Sequence, residues 1–571
     1  MAHGQPRPYE ANPRYMPAGG AVRTGWAAAA ATLPTRSAVL ALDGPAVLDW
    51  TAATAGLSGA LAERGMPVRL VDVRQHLVPW QEVLDRTASG ELVDDPDFAT
   101  LASGSLADLF DDLPVIDAPA EGVCVVFGPG AALVGHDRLW YVDLPKRYAE
   151  AAVTSGVGRN LGQRDTDGVG GTKRLFYIDW PLLDRHRDTI ATGIDLWIDL
   201  QNPRRPMSID GDTLRRTMQT LARQPFRTRP TFNTTPWGGH WAQRRLGINS
   251  SADNTALGYE LIAPESGVLI GADATAEVEL PFALVVALHP GQMLGKQVYD
   301  TFGCSFPIRF DYLDTVDGGN LSVHCHPQAD YMRKIFGWPY TQHETYYVMV
   351  GGADRKIYLG LREDVDVDQF RREARAADQR GEPFDIERHV RTFPAEPHQL
   401  FLIPAGTPHG SGEGNVVLEV SATPYLYSLR FYDWLRRDAK GRQRPVHVDH
   451  AFNNLNRDRA GRAVADDLVQ RPHVLREGAG WCEELLGRLP EMFFDVRRVT
   501  IESDTPVDND TGGRFQVINL VQGDGAELRT RSGYRHALAY AETLVIPAAV
   551  GEYTLSRIGR EPVRLVRAQV R

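Results

Sequence analysis

GGNLSVHCHPQADYMRKIFGWPYTQHETYYVMV, residues 318–350, decides how the chain is read: it carries His324 and His326 two apart in an apolar, β-prone run and a lone Glu344 at the head of another. Alternate side chains of a strand leave opposite faces, so a His-x-His pair sends both imidazoles off one face. Cys325 between them points the other way and reads as packing. Glu344 stands eighteen positions past His326 (344 minus 326) and opens ETYYVMV, an aromatic and β-branched run that reads as a second strand. His409 ends the turn PAGTPH (Pro404 to His409), which follows the apolar run LFLIP. Imidazole nitrogens and a carboxylate are what a borderline divalent ion such as zinc takes, with one position left open at a catalytic site. A single histidine in a chain this long reads as a surface or turn residue. Three histidines and a glutamate, all on or beside predicted strands, read as a metal site.

At 571 residues the chain exceeds one hydrophobic core and is expected to form three or four domains. Its 43% hydrophobic and 24% charged content is that of ordinary globular protein. A net charge of −11 argues against a general partner in nucleic acid or anionic membrane, and leaves room for a local basic pocket. Cys124, Cys304, Cys325 and Cys482 are scattered without framework spacing, as in a reducing compartment. The early alanine run, Ala27 to Ala31, is too short and too weakly apolar for a signal or a span, so the expected location is cytoplasmic.

From Ser37 to about Ile194, short apolar runs (AVLAL, PVRLVDV, GVCVVFG, RLWYVDLP, KRLFYIDW) alternate with helical or loop segments, the pattern of a parallel α/β sheet. Turns at Leu42–Pro45 and Gly128–Gly130 lack the lysine and hydroxyl of a phosphate-binding loop. After the connector 202–206, Trp237-Gly238-Gly239 marks a close packing point or a substrate-facing turn. GVLIGADATAEVELPFALVVALHP and FPIRFDYLD read as antiparallel strands leading to the metal-site strands. Residues 366–380 read as a solvated helical insert, WCEELLGRL (Trp481 to Leu489) as an amphipathic helix, and the chain from about Phe493 as a small β-barrel or jelly roll.

The pieces WGG (237–239), FPIRFDYLD before LSVHCHP (306–327), ETYYVM (344–349), PAGTPHG (404–410), EVSATPYLYSLRFYDW (419–434) and IPA (546–548) together resemble the type I mannose-6-phosphate isomerases, zinc-dependent cupin enzymes that interconvert an aldose phosphate and a ketose phosphate. The resemblance runs from about Pro230 onward. It implies metal ligands at His324, His326, Glu344 and His409, and catalytic roles for Glu419 and Arg430 in the substrate pocket, where a carboxylate can move a proton and a guanidinium can stabilise an enediolate or a phosphate. Two positions depart from the family pattern. His324 stands where the family usually has glutamine, a first shell that other cupins use for manganese or iron. Gln342 stands where it usually has a substrate-facing lysine, a loss that Arg309, Arg333, Lys334 or Lys356 would have to offset. The N-terminal layout resembles a nucleoside kinase without its phosphate-binding loop.

The expected architecture is therefore multidomain. It comprises an arm (1–36), an α/β parallel-sheet domain (37–200), a metal-binding cupin core of jelly-roll type with helical insertions (206–450), a helical segment (451–490) and a C-terminal cupin-like β domain (491–571). The expected cofactor is zinc, with manganese or iron as alternatives. The expected partner is a small-molecule sugar phosphate, with no nucleic acid and no membrane. The expected activity is aldose–ketose isomerisation of mannose 6-phosphate. A non-catalytic sugar-binding regulator and a cupin oxygenase using iron or manganese remain as alternatives.

Overall fold

A computed structural model describes residues 7–438 and 440–571, Asp165 by its backbone alone. The N-terminal layer is built on β1 (Ala38–Asp43), β2 (Val68–Asp72), β3 (Val123–Phe127), β4 (Arg138–Asp143), β5 (Leu196–Asp199) and β6 (Met207–Asp210). Their order is β6-β5-β4-β1-β3-β2, with Arg23–Thr24 beyond β6. β2, β3, β1, β4 and β5 run parallel, and β6 returns antiparallel. β1 and β3 are buried along their whole length, which is why they read as continuous apolar runs rather than alternating ones. Because β6 pairs with β5, the sheet extends past the boundary expected at 200 and takes in the connector 202–206 as a turn.

The central region is two facing antiparallel sheets. One contains β7 (Leu257–Leu261), β8 (Ile308–Asp314), β10 (Glu344–Val350), β13 (Leu400–Ile403) and β15 (Val416–Ala422), in the order β13-β10-β15-β8-β7, with the short strand Thr231–Asn233 at its edge. The other contains β9 (Val323–Cys325), β11 (Gly352–Leu361), β12 (Val390–Ala395), β14 (His409–Ser411) and β16 (Leu429–Tyr432), in the order β12-β11-β14-β9-β16. The insert forms α1 (Val367–Arg380), capped by Asp366 and closed by left-handed Gly381. At Gly238 and Gly239 an added Cβ would lie 2.0 Å from Asn254 and 2.2 Å from Asp314, so these glycines mark a close packing point. A C-terminal pair of sheets, six- and four-stranded, completes the chain. Among the described residues no helix is long and apolar enough to cross a membrane.

Three segments differ from the expected reading. KRLFYIDW is helical, entering the helix Trp180–Ile190 through a π turn, and FALVVAL is the helix Phe282–Leu288. Short, largely buried apolar runs carry no period that separates helix from strand. Trp481–Gly487 is a strand of the C-terminal sheet, paired on both sides, so the segment 451–490 is helical only at Val448–Asn454 and Arg462–Leu468. The missed signal is Ala479-Gly480, a tight turn with Gly480 at φ +73° that makes a hairpin with His473–Gly478.

The N-terminal layer shares a core with the barrel. Leu92, Phe98, Leu106, Tyr177, Leu182 and Leu183 pack in one apolar cluster with Val323, Cys325, Phe336, Tyr427, Leu429 and Leu455. A backbone bond from Leu101 N–H to Phe336 O (2.8 Å) and one from the Thr100 hydroxyl to Ile335 O (2.7 Å) fix the join.

The N-terminal arm reaches the C-terminal sheets. Arg227, 1% exposed, sits among Glu542 (2.6 Å), Glu260 (3.7 Å) and the carbonyl of Glu10 (2.9 Å). Nearby, burial and the charges of Arg227 and Arg7 push His536 down to about 3, from an ordinary value near 6.5. Between those values the unfolded chain binds a proton that the folded chain refuses, so stability falls as pH drops from 6.5 toward 3. Urea midpoints at pH 7 and pH 5 should differ less for His536→Gln than for the parent. An unchanged difference would sink the assignment.

Candidate metal centre

β9 is flanked by β14 and β16, and the register sets His324 directly opposite His409 on one side and Arg430 on the other. His326 follows two residues on, on the same face. The ligand nitrogens of His324, His326 and His409 lie within 4.8 Å of one another, and the rings of His324 and His409 are 4.3 Å apart. Glu344 comes from the opposite sheet, its Oε2 2.5 Å from His326 Nε2 and its Oε1 3.6 Å from His409 Nε2. All four side chains are under 7% exposed: 6% for His324, 2% for His326, 1% for Glu344 and 0% for His409.

The donor set fits a divalent cation. Each imidazole turns Nδ1 to a backbone carbonyl: His324 to Ser322 (2.9 Å), His409 to Thr407 (2.9 Å) and His326 to Tyr427 (3.3 Å). A proton on Nδ1 leaves the Nε2 lone pair free for a metal, and the carbonyl fixes ring and tautomer. His409 Nε2 and Glu344 Oε1 have no hydrogen-bond partner, a costly state for buried polar atoms that a cation would relieve. Burial, reinforced by the neighbouring imidazoles, pushes His324 well below its ordinary value and so keeps it neutral. For Glu344 burial opposes ionisation, but His326 and His409 outweigh it and hold the carboxyl well below the usual range. Gln342 donates to Glu344 Oε2 at 3.1 Å, so at the position where a lysine was looked for it orients a candidate ligand.

Behind Glu344 the six-stranded sheet presents two inward rungs. Arg309, Ser421 and Glu344 stand abreast on β8, β15 and β10, and Asp311, Glu419 and Tyr346 form the next rung. Arg309 Nε donates to Ser421 Oγ (2.7 Å) and Glu419 Oε1 (3.1 Å), and lies 3.3 Å from Asp311. Burial raises Glu419 well above the carboxylate range, against the pull of Arg309. Burial likewise pushes Asp311 up to about 7. Glu419 is thus inside the barrel but engaged, while Arg430 is partly buried at the mouth, its Nη1 donating to Pro445 O at 3.0 Å. Burial lowers Arg430, with Arg444 adding to the effect.

Of the cations considered as replacements for the missing lysine, only Arg309 faces the interior. Lys334 is exposed, and Arg333 and Lys356 are tied at the surface to Asp330 and Glu387. Asp311 and Tyr346 were not singled out from the sequence, although the alternation in RFDYLD and ETYYV places each on the inward face of its strand.

Residues 25–223 match a family described as a domain of unknown function, DUF8485. Mannose-6-phosphate isomerase ManA of Bacillus subtilis (strain 168) is 23% identical over 341 residues, covering 59% of this chain and 96% of the relative. A mannose-6-phosphate isomerase of Streptococcus mutans is 25% identical over 219 residues, 38% of this chain and 64% of that one. Among solved structures, the mannose 6-phosphate isomerase from Bacillus subtilis matches 61% of this chain and 100% of its own, with a TM-score of 0.48 and 17% identity. About three-fifths of the chain is similar in sequence to these curated mannose-6-phosphate isomerases.

Proposed function

We propose that the chain is a metal-dependent aldose–ketose isomerase acting on a sugar phosphate, with mannose 6-phosphate and fructose 6-phosphate as the substrate pair. The observation that carries this reading is the rung His409–His324–Arg430 facing Glu344, within a region homologous to those isomerases. His324, His326, Glu344 and His409 would hold the ion, zinc in the first instance and manganese or iron as alternatives. When bound, it supplies Lewis-acid polarisation of substrate oxygens. Glu419, in the ionised form that its contacts with Arg309 and Ser421 favour, is assigned the proton that leaves C2 of the aldose and is returned to C1, while the hydroxyl proton passes from O2 to O1, so no net proton or electron is exchanged. Arg430 at the mouth supplies a fixed positive charge for the anionic substrate.

The full chain as purified should contain close to one divalent ion and convert mannose 6-phosphate in a coupled assay. Stripping the ion with a chelator should abolish turnover, and zinc should restore it. Turnover untouched by complete metal removal, or none with zinc, manganese or cobalt on any hexose or pentose phosphate, refutes the reading.

A further inference from the structure

A cleft of about 360 Å³ lies where the N-terminal layer meets the mouth of the barrel, lined by Asp97, Thr172 and Lys173 from the first and by Ser428, Arg430 and His447 from the second. It is one strand away from the metal centre, because Arg430 is the register partner of His324. His447 is only 8% exposed, and its Nδ1 accepts the backbone N–H of Arg430 at 3.2 Å, so the neutral ring carries its proton on Nε2. That Nε2–H meets only Asp97 Oδ2, at a long 3.5 Å. Lys173 Nζ donates to the carbonyl of Asp95 and keeps two further donors. Asp95 in turn meets His450 Nε2 at 2.8 Å, which pins this wall against the barrel.

We propose that this cleft is the phosphate subsite of the isomerase, with Lys173 of the N-terminal layer and Arg430 of the barrel as its two cations and His447 Nε2–H as a neutral donor. The assignment rests on the sugar-phosphate reading above. Carbons C3 to C6 separate the reacting C1 and C2 from the phosphate, so a subsite offset from the metal by one strand suits a hexose 6-phosphate. Among the lining residues two cations against one carboxylate leave a net positive charge, and a phosphate would offer the buried His447 Nε2–H a closer acceptor than Asp97 at 3.5 Å. The cation absent at position 342 is thereby supplied by the N-terminal layer.

Calorimetric titration of the metal-loaded full chain with mannose 6-phosphate, inorganic phosphate and mannose tests this. Lys173→Gln should weaken both phosphate ligands by about tenfold, the loss expected of one charge-assisted contact, and leave mannose unchanged. Lys173→Arg should recover most of the affinity. Asp97→Asn, which removes the opposing carboxylate, should tighten phosphate by about threefold, a change of sign that structural damage would not mimic. In turnover, Lys173→Gln should raise KM for mannose 6-phosphate with kcat nearly kept. Phosphate binding that is absent in the parent, or equal in the parent, Lys173→Gln and Asp97→Asn, overturns the subsite. Phosphate binding that follows these variants in a chain without isomerase turnover upholds the subsite while refuting the activity.

Discussion

His326→Ala should leave the chain folded, without its metal and without turnover. His326 contributes one of three converging nitrogens and is the closest contact of Glu344, so its removal takes away a ligand and frees the carboxylate that opposes it. Lewis-acid stabilisation is worth several kcal/mol, so kcat/KM on mannose 6-phosphate should drop on the order of a thousandfold or more. Metal content by mass spectrometry and circular dichroism on the same sample separate loss of the ion from loss of the fold. Full metal content with near-parental turnover would remove His326 from the centre. Gln342→Ala should act in the same direction but more weakly, since it touches the ion only through Glu344, with roughly a ten- to hundredfold loss in metal affinity.

Arg227→Ala should cost stability rather than chemistry. Its guanidinium is almost wholly buried between Glu542 of the C-terminal sheets and Glu260 of β7, and it also holds the carbonyl of Glu10 in the arm. Removing one partner from a buried ion cluster leaves uncompensated charge, which costs about 3–5 kcal/mol. The urea midpoint should fall accordingly, with the assay at low temperature nearly unchanged because none of these groups approaches the metal centre. Double replacement with Glu542→Gln should recover part of the loss. A loss below about 1 kcal/mol would mean that water or local movement already satisfies the carboxylates.

The convergence of the candidate ligands was legible because its information is local. A strand period of two and the ligand chemistry of histidine place His324 and His326 on one face without knowledge of the fold, and His409 and Glu344 each open a strand. Glu419 and Arg430 were reached only through family resemblance, and the register explains why. What matters about Glu419 is that β15 lies between β8 and β10, so that Asp311 and Tyr346 become its neighbours. No spacing along the chain encodes that. The errors at KRLFYIDW and FALVVAL came from short, largely buried apolar runs, too short for their hydrophobicity to report a period. Lys173 and His447 were illegible for a further reason: each is ordinary in its own segment, and only the docking of the N-terminal layer makes them face one cleft.

The apolar cluster shared by the N-terminal layer and the barrel also governs the order in which the chain can fold during synthesis. Leu182 and Leu183 leave the ribosome 140 residues or so before Val323 and Cys325 (323 minus 183), against which they finally pack. At ordinary translation rates this is a wait of roughly ten to thirty seconds with one side of the first layer uncovered. The parallel sheet can form in that interval, but its barrel-facing surface cannot close. Nascent chains halted before residue 323 should therefore bind chaperones and aggregate when released, and those halted beyond residue 455 should not.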